Sequence, residues 1–310
     1  MNIELPKSRD HAYWQLWAMR ALLVLGASHL LAGIVFFFAY NWDDLSPFAK
    51  FGLLQAGLVV SVVAALRLKI ESPAGQALLI AASVFTGVLL AVIGQVYQTG
   101  ADAYELFTAW SVLILPWVIA SRSSAHWFLW IVVCLTAFSL YGGQVLLPLG
   151  VLADDQLGIA VGIAAIVFLG GYELAVHAGF DWLGDRWLRV TLALIGVGIL
   201  FVPAMMFVFD WHGISQGIAA FVIVTAALGL VYSRLIPEFA IIAITTGFAA
   251  VVAMAIGARA VHEIIGFDDG TTSLITSLIV LVLWCAMLTA ATVRLLNAMS
   301  ARMTTGHSDD

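Results

Sequence analysis

Long, nearly uncharged apolar runs follow one another along this chain, separated by connectors too short to hold anything else. Ten of them, at about 21–40, 48–66, 76–97, 106–121, 125–147, 158–177, 188–209, 216–233, 238–257 and 273–294, approach a membrane-spanning length. An α-helix needs roughly 20 residues to cross a hydrocarbon core of ~30 Å. A soluble domain could not bury that much apolar surface: 63% of the residues are hydrophobic and 10% charged, with a mean hydropathy of +1.04, where soluble chains carry about 25% charged residues. Strand-like alternation is absent, which excludes a β-barrel and leaves helices to satisfy the backbone. The expected fold is all-α, a polytopic transmembrane helical bundle of about ten spans.

Four regions follow from the runs. Residues 1–20 are polar with Tyr13, Trp14 and Trp17 interspersed, suiting a cytoplasmic interfacial segment. Spans one to five occupy 21–147, spans six to ten 148–294, and 295–310 form a polar cytoplasmic tail. Lys7, Arg9, Asp10 and Arg20 precede a first run too long for a signal-peptide core, so that span is expected to direct insertion and stay. No connector has room for a nucleotide-binding loop or a nucleic-acid surface.

Charge sorts by side. With the N-terminus on side one, that side collects Lys7, Arg9, Arg20, Arg67, Lys69, Arg122, Arg186, Arg189, Arg234, Arg294 and Arg302, and side two only Lys50 and Arg259. Short-loop Lys and Arg mark the cytoplasmic face, so both termini are expected to be cytoplasmic. Side two gathers Asp43, Asp44, Asp102, Glu105, Asp154, Asp155, Asp210, Glu263, Asp268 and Asp269. An internal repeat also suggests itself: Trp42 and Trp211, Arg67 and Arg234, Pro73 and Pro237, Gly94 and Gly257, and Trp117 and Trp284 stand roughly 163–169 positions apart. Spans 1–4 and 7–10 would then be parallel repeats, with spans 5 and 6 between them; the competing explanation is that helical hairpins reuse Arg and Trp at their ends.

Two polar patches interrupt the grease on side two. Asn41, Asp43 and Asp44 leave span one; Gln95, Tyr97 and Gln98 leave span three, and Asp102 and Glu105 precede span four. Converging carboxylate, amide and phenol oxygens would suit a hard cation or a cationic solute. Helix capping and interfacial anchoring are the plainer account of the same residues. Both patches fall in a stretch with a recognisable pattern: Gly33-Ile34-Val35-Phe36-Phe37-Phe38-Ala39-Tyr40-Asn41-Trp42-Asp43 with Leu45-Ser46-Pro47, then Ile93-Gly94-Gln95-Val96-Tyr97-Gln98, then Leu113-Ile114-Leu115-Pro116-Trp117. On these residues the segment of about 10–145 resembles the DUF2157 family of predicted bacterial membrane proteins without assigned activity. The resemblance implies a bacterial inner membrane location and marks both patches as family features. It supplies no catalytic residue.

Deeper polar groups are few. His29 and Gln55 fall inside spans one and two, where interhelical hydrogen bonding is the default and a path-lining role the alternative. Glu173, about a turn from the cytoplasmic end of span six, can snorkel or meet Arg186 or Arg189. Pro116 and Pro203 would kink spans four and seven, and Gly158 and Gly162 form a GxxxG pair. Cys134 and Cys285 lie apart in apolar runs and read as small hydrophobes. With no HExxH, P-loop, GxSxG or CxxC, neither a metal, a cofactor nor an enzymatic activity is expected. The favoured reading is a transporter- or channel-like protein for a small solute or cation with its polar site at the periplasmic mouth; the alternative is a non-catalytic membrane subunit, assembly factor or sensor acting with another envelope protein, and an intramembrane enzyme using scattered acids ranks third. The expected partners are the lipid bilayer and either a membrane protein or a second copy.

Overall fold

In a computed structural model of the chain, the described residues are 14–15, 18–19, 22, 25, 29, 36, 42, 44–210, 216–265 and 271–305. They contain nine helices long and apolar enough to cross a membrane. In chain order these are α1 (Pro47–Arg67), α2 (Pro73–Tyr97), α3 (Ala103–Ser121), α4 (Ser124–Tyr141), α5 (Asp154–His177), α6 (Arg186–Asp210), α7 (Gln216–Arg234), α8 (Phe239–Ile265) and α9 (Thr271–Thr305). Nine of the ten expected spans are thus described, with starts close to those read from hydropathy, while α8 and α9 run past the expected ends at 257 and 294. The expected first span, 21–40, lies outside the described residues apart from Leu22, Leu25, His29 and Phe36.

Local chemistry sets the helix ends. Ser72 caps α2 by accepting the Gly75 N–H at 3.0 Å, with Pro73 in the first turn, where its missing N–H costs nothing. Ser46 and Pro47 repeat the device on α1, the Ser46 hydroxyl accepting the Ala49 N–H at 3.3 Å. At their C-terminal ends α2 and α3 turn through left-handed residues, Gln98 and Arg122, both at φ 45°. After Tyr141, α4 widens into a π-helical turn over Gly142–Leu146, closed by Leu147 N–H on Gly142 O at 2.9 Å.

The chain divides into two compact units, residues 1–57 and 58–310. In the first, Trp42 O accepts the Leu45 N–H and the Trp42 ring lies 5.3 Å from the Lys50 ammonium. In the second, α6 is the central helix, packed on α5, α7 and α8. Leu192, Ala193, Val197, Leu200 and Ala204 of α6 are sealed against Ala165 and Leu169 of α5, Phe221 and Tyr232 of α7, and Ile241 and Ile242 of α8. Glycines let these helices close up. A Cβ on Gly162 would strike Leu200, and one on Gly196 would strike Ile166, so α5 and α6 interlock reciprocally. Gly158 of α5 and Gly217 of α7 both lie against Pro203, which makes that proline a packing ridge within α6. Gly170 and Gly171 face open space instead.

Large apolar side chains point outward in number, among them Val112, Leu174, Phe209, Ile223 and Leu283. In water such a surface would aggregate; around a bundle of spanning helices it is the face presented to lipid. The protein is a polytopic, all-helical membrane protein.

One contact occurs twice. Between α2 and α3, the Trp110 ring fills the space a Cβ on Gly87 would need, and its indole N–H donates to Ser83 O at 2.8 Å. Between α8 and α9, Trp284 does the same over Gly257 and donates to Ala253 O at 3.2 Å. These are the helices the repeat would place in correspondence, but the glycine and tryptophan that meet in the first half are Gly87 and Trp110, not Gly94 and Trp117.

Candidate functional site

The side-two patch is built mainly from helix ends. Gln95 and Tyr97 are exposed in the last turn of α2, and Gln98 is its left-handed C-cap, donating its N–H to Gly94 O. Asp102 is the N-cap residue of α3, and Glu105 reaches back so that its Oε2 accepts the Asp102 N–H at 3.2 Å, the returning arm of a capping box. Both carboxylates are exposed, and an acidic first turn complements the helix dipole. The chain turn at Thr99–Ala101 brings these five residues together. Gln144, in the π-helical turn after α4, joins them by accepting the Tyr104 N–H at 3.1 Å. Asn41 and Asp43 lie outside the described residues, and Asp44 is exposed in the first unit.

Of the deeper groups, the His29 Nδ1–H donates to Leu25 O at 2.8 Å within its own helix, and Gln55 is exposed on α1. Glu173 meets one of its two expected partners. Arg189 Nη2 donates to Glu173 Oε2 at 3.1 Å, while Nε stands 2.6 Å from Oε1 without its N–H aimed there, an ionic rather than a hydrogen-bonded contact. The Tyr232 hydroxyl donates to Glu173 Oε1 at 2.7 Å, and the Tyr172 ring lies 5.7 Å from the Arg189 guanidinium carbon. Side-chain exposure of the pair is only 18% and 14%. Three helices, α5, α6 and α7, are therefore tied through one carboxylate.

The pairing compensates two misplaced charges. Glu173 stands toward the C-terminal, negative end of α5, and Arg189 in the first turn of α6, at its positive end; each opposes its own helix dipole and is offset by the other. A second pair lies beside the first. Arg186 donates from Nε and Nη2 to Glu238 at 2.9 and 2.8 Å, a bidentate fork. Glu238 also accepts the Ala240 N–H at 3.2 Å, and its own carbonyl accepts the Ile242 N–H, so it caps α8 while holding α6. The guanidinium beside it holds the Glu238 carboxyl below its ordinary value, against the opposing effect of burial.

The same end of the bundle carries four more ties. Ser124, at the start of α4, donates to the Asp185 carboxylate, and the Tyr172 hydroxyl donates to Asp185 O at 3.1 Å. Gln76 of α2 donates to Ser121 O of α3 at 3.4 Å. Ser83 of α2 and His126 of α4, both fully buried, meet Oγ to Nε2 at 2.7 Å, leaving Nδ1 without a partner. Sequence reasoning missed Ser83, His126 and Glu238. His126 sits at the edge of an apolar run where it looks like connector, and the available signal for Glu238 was its spacing from Pro237 at a helix start. Cys134 and Cys285 are free thiols, as their sequence setting implied.

Residues 4–127 match the family described as predicted membrane protein, DUF2157. That agrees with the motifs at 33–47, 93–98 and 113–117 and covers the region from the N-terminal segment to the start of α4. No curated protein and no solved structure matches the chain.

Proposed function

We propose that this protein is a non-catalytic membrane subunit, assembly factor or sensor that works with another envelope protein. The observation that carries this reading is the way Glu173, Arg189 and Tyr232 are spent on one another. Coupled transport calls for ionisable groups that line a path and change partners. Here the charges within the spanning helices are spent on fixed ties around an apolar α6 core, Glu173, Arg189 and Arg186 at one end and, at the other, Arg259, which donates to Phe209 O of α6 and to Glu263. The distribution of Lys and Arg supports cytoplasmic termini, which puts the Glu173, Arg189 and Arg186 ties near the cytoplasmic surface, and the family resemblance supports a bacterial inner membrane location.

A second reading, a transporter- or channel-like protein for a small solute or cation, is favoured by one feature. The π-helical turn at Gly142–Leu146 sits beside the mouth patch and supplies Gln144 to it, and such turns are frequent at functional sites. Purification from native membranes in a mild detergent tests both. The first reading expects a stoichiometric protein partner and no cation flux from proteoliposomes. Flux that is lost in Asp102→Asn, with no partner retained, would replace it with the second.

A further inference from the structure

A groove lies along α7 and α8, with Leu295 and Met299 of α9 also in its lining, and has a volume of about 1020 Å³. From Ile218 to Arg234 its floor rises roughly 24 Å, at 1.5 Å per residue, most of the thickness of a hydrocarbon core. Three of its four hydroxyl residues, all but Thr246, are bonded back to their own helices. Thr225 Oγ1 donates to Phe221 O at 2.7 Å, Thr245 Oγ1 to Ile241 O at 3.0 Å, and Ser233 Oγ to Leu230 O at 3.2 Å. The interior is thus chemically apolar despite its hydroxyl residues. Gly229 keeps the middle open, since a Cβ there would meet nothing within 4 Å. At the end stands Arg234, exposed and without an ion pair among the described residues.

An apolar channel nearly as long as the hydrocarbon core, ending in an uncompensated guanidinium at helix-end depth, matches one chemistry: a long alkyl chain with an anion at its head. A polar solute would find few groups to bond along the walls, the Thr246 hydroxyl being the exception among the hydroxyls described. A wholly apolar occupant would leave the arginine unanswered. We propose that this groove binds an anionic glycerophospholipid of the surrounding bilayer, one acyl chain lying between α7 and α8 and the phosphate on Arg234. Basic residues between spanning helices bind anionic head groups in this way.

The test uses the full chain in phosphatidylcholine vesicles doped with a phosphatidylglycerol that carries a diazirine near the end of one acyl chain. Photolabelling is expected on α7 and α8 peptides that line the groove. Unlabelled phosphatidylglycerol should compete it away about fivefold better than phosphatidylcholine, the factor that corresponds to about 1 kcal/mol for one basic residue near an anionic surface. Arg234→Gln should equalise the two competitors while groove labelling persists. Gly229→Phe, which fills the open middle, should abolish groove labelling and leave labelling of the lipid-facing Val112–Leu113 stretch of α3 unchanged. Arg67→Gln, outside the groove, should alter nothing. Equal competition in the unaltered protein, or a phosphatidylglycerol preference that survives Arg234→Gln, would overturn the proposal. So would an unlabelled groove in which Gly229→Cys cross-links two copies, or cross-links to a cysteine placed in residues 21–40, because the groove would then be filled by protein.

Discussion

Trp284 of α9 occupies the space that a Cβ on Gly257 of α8 would need, and its indole N–H donates to the carbonyl four residues before that glycine. Gly87 and Trp110 stand in the same relation, with the acceptor again four residues earlier. The contact combines a close backbone approach, which only glycine permits, with a satisfied indole donor that hydrocarbon would otherwise penalise.

Substituting these glycines should therefore cost more than their exposure suggests. Gly257→Ala and Gly87→Ala are each expected to destabilise the protein by about 1–3 kcal/mol, the usual cost of overpacking. Thermal unfolding in detergent, followed by tryptophan fluorescence, would read this. Gly170→Ala, where the added methyl meets open space, should be close to neutral, and a comparable loss there would refute the steric account.

The Glu173–Arg189 pair predicts an asymmetry between single and double substitutions. Glu173→Gln or Arg189→Gln alone should cost about 3–5 kcal/mol, because each leaves one charge uncompensated where little water reaches it. Glu173→Gln with Arg189→Gln should recover most of that loss. Tyr232→Phe should cost about 1.5–3 kcal/mol, the range for a hydrogen bond to a charged group. Additive single-site losses in chemical denaturation would show that the two groups do not act as a pair.

Glu238 gives a pH dependence of fixed sign. Its carboxyl is held below the ordinary value of 4.5 by the Arg186 fork, so the folded protein binds this proton less readily than the unfolded chain does. The stabilisation is present above that ordinary value and is lost as pH falls through the lower, folded one. Melting temperature measured from pH 6 down to pH 3 should drop more steeply for the unaltered protein than for Glu238→Gln. Parallel curves would remove the pair from the account of acid sensitivity.

Ser83→Ala should be felt although it deletes one oxygen. It leaves the buried His126 imidazole with no partner on either nitrogen, at a cost of about 1–3 kcal/mol. His126→Phe combined with Ser83→Ala replaces both polar groups and should cost less than Ser83→Ala alone. Denaturation midpoints in detergent decide between the two orders.

Helix positions were legible because bilayer thickness imposes a length and because few polar residues interrupt the runs. Span ends were less so. Spans nine and ten were expected to end at 257 and 294, beside Arg259 and at Arg294, yet α8 continues to Ile265 and α9 to Thr305. In α8 the reason is visible: Arg259 Nε donates to Glu263 at 2.7 Å one turn on, so the charge is answered within the helix. The mouth residues were found, but a list of carboxylates and amides does not say which are spent on caps, as Glu105 is. The ties at the opposite end were mostly invisible. They depend on which helix faces which, and nothing in the spacing of Ser83 and His126 announces that α2 and α4 touch there.

The Glu173–Arg189 tie also bears on how the chain enters its membrane. Taken singly, α5 would carry an unanswered carboxylate and α6 an unanswered guanidinium into a medium that charges each about 2.5–3.5 kcal/mol at mid-helix depth, and less toward the ends. Joined by the short connection that holds Asp181–Leu183, the two helices bring these opposite charges together on faces that interlock through Gly162 and Gly196. Entering the bilayer together as a hairpin is therefore cheaper for these two helices than entering one at a time.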